Sequence, residues 1–403
     1  MLRRVFKAFQ YRDYRLLWFG SCTSSIGTWM QIMAQQWLVL QLSNSARMLG
    51  LDAFLGTIPI VLFSLIGGVV ADRMDRRRLL MMSQWIQLSC AFLLAFLIYF
   101  DVVKVWHIFI LSFVTGTGQA FGGPAYSALV PSLVDREDLP NAIALQSIQF
   151  NLARVVGPAL GGIAYTALGY TWCFALNGFS FLAPILSLML LQIKFIPEKS
   201  VASVLTSMKE GFGFIRNQGA MVALIVLAFC MTGLGIPLLT FLPVIAKDVF
   251  HSGTDPRIYT SMLSVSGAGA VAGSLIVAVL GNIANKGRVA LTMLICLGVA
   301  IAGFALSKSL IFSYILLFLA GIALIAVFTM IQSLVQLITG NEMRGRVMSV
   351  YNVAFRGGMP MGNLATGFLV PIFTAPVVLA VNGALLFFLG LYFLMVQRKV
   401  AEL

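Results

Sequence analysis

The sequence predicts an all-α protein that crosses a membrane many times, and three observations support this fold class. The 403 residues are 60% hydrophobic and only 10% charged, whereas an average soluble domain has about 25% charged residues. The apolar residues form long runs, and a spanning helix needs roughly 20 such residues. The basic residues are concentrated in alternate connections between the runs. A soluble core could not bury this much apolar sequence, so lipid must surround much of the chain.

Twelve apolar runs are long enough to cross a bilayer. They cover about 16–41, 48–70, 79–100, 105–128, 140–167, 171–193, 219–246, 258–283, 288–306, 310–338, 345–370 and 375–396. The longest hydrophilic interval, 194–218, separates six runs from six. We therefore expect an N-terminal six-helix bundle at 1–193, a central cytoplasmic linker at 194–218 and a C-terminal six-helix bundle at 219–403.

The net charge of +13 is explained by membrane topology, and we expect no nucleic-acid partner. If the N-terminus is cytoplasmic, 20 of the 27 Lys and Arg residues fall in cytoplasmic segments. The outer connections hold only Arg47, Lys104, Lys247, Arg257 and Lys308. Basic residues are enriched in cytoplasmic loops of membrane proteins. The distribution therefore predicts that both termini are cytoplasmic.

Cysteine, metal and cofactor signatures are weak or absent in this sequence. All cysteines fall inside apolar runs and none forms a Cys-x-x-Cys pair, which is typical of small core residues rather than disulfides or metal ligands. They are Cys22, Cys90, Cys173, Cys230 and Cys296. The sequence contains neither a phosphate-binding loop nor a Gly-x-Ser-x-Gly elbow. We predict no metal site, no cofactor and no enzymatic activity.

A dense group of charges joins the second and third runs, between Gly68 and Arg78. It admits two interpretations: a cytoplasmic anchor, or a gate whose carboxylate docks on the free amides at another helix's N-terminus. The candidate helix end is at 343–347. The candidate gate residues are Gly68, Asp72, Arg73, Arg76 and Arg77, and the acids predicted to pair with the arginines are Asp135, Glu137 and Asp138.

Two arginines lie deep inside apolar runs, Arg154 in the fifth and Arg356 in the eleventh. Each precedes a proline by four positions, which is one sign of an internal duplication. An arginine near the bilayer centre is expensive unless it faces a polar interior. Three roles remain open for this pair: pairing with backbone groups, anchoring an anionic or polar substrate, and coupling.

Polar residues recur along one face of several predicted helices. Such stripes face neighbouring helices or water, because lipid cannot satisfy them. Singly they more often join helices than bind ligands, but together they favour a shared substrate path. The candidate path residues are Thr28, Gln31, Gln35, Gln119, Asn151, Arg154, Gln332, Gln336, Asn352 and Arg356.

Asp52 is the carboxylate placed inside an apolar run, near the outer end of the second. It is a candidate proton carrier, because a desolvated carboxyl group has a raised pKa. The alternative is an exposed residue at the membrane interface.

The fifth run contains a cluster of small residues and proline: Gly157, Pro158, Gly161 and Gly162. Proline removes a backbone donor, and glycine lets a neighbouring helix approach closely. The cluster therefore predicts either a packed, kinked helix contact or a sealing interface that changes during a transport cycle.

The sequence resembles the major facilitator superfamily, in its enterobactin-exporter-like, or transmembrane secretion effector, branch. The resemblance spans about residues 6 to 396. It lies in the segments Tyr14-Arg-Leu-Leu-Trp-Phe-Gly, Trp37-Leu-Val-Leu, Ala71-Asp-Arg-Met-Asp-Arg-Arg-Arg-Leu-Leu, Asn151-Leu-Ala-Arg-Val-Val-Gly-Pro and Arg344-Gly-Arg-Val-Met-Ser. Three positions depart from the family pattern: Asp75 and Ala153 stand where glycine is common, and Asn285 replaces an acid.

The resemblance implies the major facilitator fold and an alternating-access secondary transporter in a bacterial-type inner membrane. It implies that Asp72 and the following arginines form the cytoplasmic gate, and that the Gly157 cluster is the exporter motif. We expect an exporter of small amphipathic organic molecules, siderophore- or drug-like, that acts as a monomer among membrane lipids. Proton coupling stays open. The alternatives are a lipid or lysolipid translocase, and a non-transporting membrane receptor or enzyme.

Overall fold

The computed structural model describes residues 6–192, 204–280, 285–340 and 343–403. Within these ranges the side chains of Leu65, Asp72, 204–208 and Leu280 are outside the description. The described chain is helical throughout and contains no strand. The predicted all-α fold class is therefore confirmed.

The helices before the central linker follow the predicted runs. They are α1 (Arg12–Ser43), α2 (Ala46–Arg73), α3 (Arg76–Tyr99), α4 (Val105–Leu129), α5 (Leu139–Leu168), α6 (Tyr170–Ser180) and α7 (Leu182–Leu190), with short 3₁₀ turns at Lys7–Gln10 and Val130–Ser132. Local chemistry explains several boundaries. The Asp75 carboxylate accepts a hydrogen bond from the Arg77 amide (2.9 Å) and so caps α3. Gly169, at φ +83°, makes the sharp break between α5 and α6.

The helices from the central linker onward complete the order. They are α8 (Val204–Arg216), α9 (Gly219–Gly235), α10 (Pro237–Thr240), α11 (Leu242–Asp248), α12 (Arg257–Leu280), α13 (Lys286–Leu306), α14 (Leu310–Ile338), α15 (Arg344–Phe373) and α16 (Ala375–Met395). Prolines open α10 and α11, where the missing amide leaves no bond unmade. Ser309 caps α14 by accepting from the Phe312 amide.

Eight helices in the described residues are long and apolar enough to cross a membrane. They are the α2 portion Ala46–Ser64, α3, Tyr170–Leu190, Gly219–Thr240, Arg257–Val279, α13, α14 and α16. The other long helices, α1, α4, α5 and α15, have 25 to 32 residues. They are less apolar because they carry polar stripes or the mid-helix arginines. This order of helices is consistent with the predicted twelve crossings.

The chain divides into two compact units. The N-terminal unit comprises Met1–Leu42 and Leu55–Val201, and the C-terminal unit comprises Ser43–Phe54 and Ala202–Leu403. The first turns of α2 thus group with the C-terminal unit. The predicted division at 193 and 219 stays a prediction about how the chain is organised.

Within the N-terminal unit, glycines set three close helix contacts. On α5, Gly157 packs on Trp29 of α1. On α4, Gly116 packs on the Gly56 carbonyl of α2. On α6, Gly178 packs on the Phe92 ring of α3. Small residues at such crossings let helix backbones approach, which is how helices associate in membranes.

Within the C-terminal unit, glycines make the corresponding three contacts. They join α15 to α9 (Gly358 and Gly362 on Phe229, Thr232 and Gly233), α14 to α12 (Gly321 on Ser266) and α16 to α13 (Gly383 on Gly298). In order of predicted crossing, the same three pairs of helices meet in both units: first with fifth, second with fourth, and third with sixth. The shared pattern supports the internal duplication indicated by the two arginine–proline spacings.

Candidate functional site

Arg154 lies midway along α5 with its guanidinium buried. The residue is 7% exposed, and it lies about 20 Å along the helix from Leu139. Its Nη2 atom has no hydrogen-bond partner in the described residues. The guanidinium carbon lies 5.9 Å from the centroid of the Trp29 ring, which gives a cation–π contact. The sequence correctly predicted that this arginine turns inward, but a backbone partner for Nη2 is not found.

Two further side chains of α5, Phe150 and Asn151, lie within about one turn of Arg154. Trp29 meets Phe150 edge to face, with 5.9 Å between ring centroids. Asn151, one turn before Arg154, donates from Nδ2 to the Ser147 carbonyl (2.9 Å). Its Oδ1 is buried with no partner in the described residues. This region therefore contains a donor without a partner (Arg154 Nη2), an acceptor without a partner (Asn151 Oδ1) and two aromatic rings (Trp29 and Phe150), all among the described residues.

The predicted exporter motif is buried against α1. A methyl group at Gly157 would lie 2.5 Å from Trp29 Cβ and 2.8 Å from the Ile26 carbonyl oxygen. One at Gly161 would lie 2.5 Å from Met33 Cε. Pro158 and Gly162 are also buried. The motif thus makes a close contact between α1 and α5, and its conformational role stays a prediction.

The polar stripe on α1 joins helices of its own unit. Gln31 Oε1 accepts from Asn177 Nδ2 of α6 (2.6 Å). Gln35 donates to Ser112 Oγ of α4 (2.9 Å). Thr28 donates to the Ser24 carbonyl one turn earlier (2.8 Å). Of the two roles that the sequence left open for such stripes, these contacts favour helix joining.

A second buried polar network links α4 to its neighbours. Gln119 donates to Gln87 Oε1 of α3 (3.3 Å), and Gln87 donates in turn to Ser83 Oγ (3.2 Å). Nearby, Tyr126 donates to Gln149 Oε1 of α5 (3.3 Å). Sequence reasoning missed Gln149, which also donates to Ser25 Oγ of α1 (3.1 Å). Its spacing relative to Asn151 gave no signal, since the two lie on different faces of α5.

The candidate path residues of the C-terminal unit are more open. Asn352 and Arg356 lie on one face of α15 and are exposed, and Gln336 of α14 is exposed as well. Gln332 is half-buried. Their place on a substrate path stays a prediction.

The predicted gate segment forms the end of α2 and the start of α3. Arg76 donates to the Ala128 carbonyl (3.0 Å), and Arg77 donates to the Met189 and Leu191 carbonyls (2.8 and 3.2 Å). Arg73 is exposed. A methyl group at Gly68 would meet nothing within 4 Å. The Asp72 side chain lies outside the described residues.

Two of the predicted gate acids, Asp135 and Asp138, bind the N-terminal segment Lys7–Tyr11, and no ion pair between these acids and the gate arginines is found among the described residues. Asp138 accepts from Lys7 Nζ (2.7 Å), Gln10 Nε2 (2.8 Å) and the Tyr11 hydroxyl (2.9 Å). Asp135 accepts from the same hydroxyl (2.8 Å), while Glu137 is exposed. These contacts differ from the expected pairing, because the hydrogen-bonding positions of Asp138 are taken by Lys7, Gln10 and Tyr11. The hydrogen bond from Lys7 lowers the pKa of Asp138 below its usual 3.8 and raises that of Lys7 above 10.5.

The candidate docking end of α15, at 343–347, is contacted by the linker helix α8. Arg346 Nη1 pairs with Glu210 Oε2 at 2.7 Å. A methyl group at Gly211 would lie 2.7 Å from the Arg346 carbonyl oxygen. Of the predicted central linker, 194–203 lies outside the described residues. The part that is described packs on the start of α15.

Asp52 is buried in α2, at 4% exposure. The alternative of an exposed interfacial residue is therefore wrong. The proton-carrier role stays a prediction. Among the described residues no group of His, Cys, Asp and Glu could hold a metal ion.

Comparison with solved structures identifies the fold. The nucleoside transporter NupG matches with a TM-score of 0.73 and 15% identity, covering 95% of this chain and 98% of that one. A bacterial homologue of the human lysosomal transporter Spinster, in an inward-facing and occupied conformation, matches with a TM-score of 0.75 and 15% identity, covering 96% and 97%. The fold is that of the major facilitator transporters.

A match between the sequence and a protein-family model identifies the family. The family described as transmembrane secretion effector matches residues 5–403, and the chain belongs to it. It is therefore a multi-pass membrane transporter and not an enzyme.

Curated relatives cover most of the chain. The multidrug efflux pump Tap of Mycolicibacterium fortuitum is 28% identical over 87% of this chain and 88% of its own length. The staphyloferrin A transporter of Staphylococcus aureus is 23% identical over 93% and 94%. Macrolide efflux protein A of Streptococcus pyogenes is 23% identical over 68% and 69%.

Proposed function

We propose that this transporter is an alternating-access exporter of small amphipathic organic molecules, drug- or siderophore-like. One observation carries the proposal. The exporter motif Gly157-Pro158-x-x-Gly161-Gly162 lies buried in a close contact between α1 and α5, beside a buried arginine. A glycine contact of this kind lets two helices pack closely.

The names of the relatives support this substrate class. They are an efflux pump for multiple drugs, a macrolide efflux protein and a staphyloferrin transporter. The distribution of basic residues supports an inner-membrane location with both termini in the cytoplasm.

We assign gating to the α2–α3 connection and its surroundings. In this proposal Asp72 and Arg73 close the cytoplasmic side with Gly68, Arg76 and Arg77. Asp135 and Asp138 bind Tyr11, and Asp138 also binds Lys7, so in this proposal they hold the N-terminal segment to the start of α5 and do not pair with the gate arginines. The α1 and α4 glutamines hold the N-terminal unit together as it moves, while Asn151, Arg154, Asn352, Arg356, Gln332 and Gln336 face the cargo.

Transport is tested with purified protein in proteoliposomes, after a thermal-shift screen of siderophores, drugs and lysolipids has found a ligand. A monomer should suffice for flux. The same vesicles with an imposed pH gradient test proton coupling, and Asp52→Asn should abolish any gradient dependence.

The gate is tested by Asp72→Asn, which should keep the ligand's thermal shift but lose flux. Asp101→Asn is the matched control, because Asp101 lies in an outer connection at φ +54°, a conformation that asparagine tolerates. Unchanged flux in Asp72→Asn would refute the gate. Loss of the thermal shift as well would place Asp72 in ligand binding.

A further inference from the structure

Arg154 is a buried charged residue, and one nitrogen of its guanidinium has no hydrogen-bond partner in the described residues. Its Nη2 is fully enclosed and has no partner in the described residues. None of the ion pairs found there includes it. A guanidinium stays charged in any protein environment, and the Trp29 ring at 5.9 Å replaces only part of its lost hydration. A buried charge with an N–H group that lacks a partner is a candidate ligand-binding group.

A ligand that binds here must provide a hydrogen-bond acceptor for Arg154. A carboxylate matches the planar N–H fork of a guanidinium better than any neutral acceptor. One turn away on the same face, the Asn151 Oδ1 is buried and also unpartnered. Residues three apart on a helix are neighbours. The two side chains therefore suit a carboxylate with a hydroxyl or amide N–H close beside it.

Aromatic rings complete the site. Trp29 covers the guanidinium and meets Phe150 edge to face. Phe150 is 53% exposed, so the ring pair is accessible from one side. The rings then contact the apolar body of the ligand.

The surrounding charges favour an anion. Asp52, buried in the first turns of α2, groups with the C-terminal unit. In the described part of the N-terminal unit, every carboxylate whose side chain is placed lies in the first turn of a helix or in a connection: Asp13, Asp75, Asp101, Asp135, Glu137 and Asp138. Mid-helix, this unit offers a buried positive charge and no negative one. A lipophilic cation would meet repulsion there.

We propose that Arg154, Asn151 and Trp29 form an anchor for the carboxylate of an amphipathic organic acid, so that the transporter discriminates anionic cargo from lipophilic cations of the same size. This inference rests on the proposed export function and names its substrate class.

The test uses two dyes that differ by one methyl group: a rhodamine with a free carboxylate and its methyl ester. Their binding to the purified full-length protein is measured by fluorescence anisotropy, and their flux in proteoliposomes. We expect the acid to bind at least about tenfold more tightly than the ester, the size of one charge-assisted hydrogen bond. Arg154→Gln should remove this preference, and Arg154→Lys should restore part of it. Arg288→Gln, at an exposed position, should keep it.

Thermal unfolding separates ligand binding from a structural role. Arg154→Gln removes a buried charge that lacks a full set of partners, so without ligand it should melt at the same temperature or higher. A lower melting temperature together with an unchanged acid preference would overturn the anchor. Equal binding of acid and ester by the wild type, or binding of neither, would overturn it as well. Selective binding of the acid without any flux would support the anchor and refute the export function.

Discussion

At Gly157 a single hydrogen atom determines how closely α5 can approach α1. A methyl group there would collide with Trp29 Cβ and with the Ile26 carbonyl oxygen, which belongs to the backbone and cannot rotate away. The same approach brings Trp29 over Arg154. The glycine therefore controls both the helix contact and the surroundings of the buried charge.

We predict that Gly157→Ala destabilises the protein by about 1–3 kcal/mol through overpacking. Gly123→Ala is the matched control on α4, where a methyl group would meet nothing within 4 Å. It should be neutral or stabilising by up to about 1 kcal/mol, because alanine favours the helix. Thermal unfolding in detergent compares the two variants. Equal melting temperatures would contradict the close contact.

The N-terminal segment and the first turns of α1 bind the first turns of α5 through several hydrogen bonds. The Ala8 amide donates to Asn141 Oδ1 (2.8 Å), the Tyr14 hydroxyl to the Ala142 carbonyl (2.8 Å) and Trp18 Nε1 to the Leu145 carbonyl (2.9 Å). Lys7, Gln10 and Tyr11 add the contacts to Asp138. Movement of α5 during transport must therefore carry this segment along or break its bonds.

We expect Tyr11→Phe to loosen the start of α5, because it removes the hydroxyl shared by Asp135 and Asp138. Hydrogen exchange at residues 139–145 should accelerate. Tyr99→Phe serves as the control, since Tyr99 is 72% exposed at the far end of α3. Identical exchange in both variants would show that the hydroxyl does not hold the helix.

The Lys7–Asp138 pair also predicts a pH dependence. The pKa of Asp138 is lowered, so its contribution to stability is present above its unfolded value of 3.8 and is lost as the pH falls through the lowered pKa. The pKa of Lys7 is raised, so its contribution is present below 10.5 and is lost as the pH rises through the raised pKa. Proteolysis of the N-terminal segment should thus be constant between about pH 5 and about pH 9, and should increase only below the unfolded pKa of Asp138 (3.8) and above that of Lys7 (10.5). A transition near neutral pH would refute this pairing.

At the scale of the molecule, the two units repeat one packing scheme. In each unit the first crossing meets the fifth, the second meets the fourth and the third meets the sixth, each at a glycine. Duplicated halves with a basic bias on one side of the membrane require an even number of crossings. Both termini should then face the same compartment.

Cysteine labelling in intact cells tests this topology, in a variant from which the native cysteines have been removed. Lys308→Cys should react with a membrane-impermeant maleimide, because the predicted topology places Lys308 in an outer connection. Arg136→Cys should react only after permeabilisation. The opposite result at both positions would show that the protein has the inverse orientation in the membrane. Labelling of both positions from the same side would contradict the predicted number of crossings.

The sequence by itself determined the membrane fold, the order of the helices and the burial of Arg154. Hydrocarbon imposes these features locally: it requires long apolar runs, and it admits a charge only where the protein shields it. The sequence also indicated the motif residues Gly157 and Gly161, because helices that pack closely in a membrane have small residues at their contacts.

Only the tertiary structure decided which partner each polar group has. Gln31 and Gln35 were compatible with a substrate path, yet they bond to Asn177 and Ser112, which are distant in the sequence. Asp138 was expected to pair with an arginine and instead binds Lys7. Hydrogen bonds depend on distances of a few tenths of an ångström between helices, and no pattern along one helix contains that information.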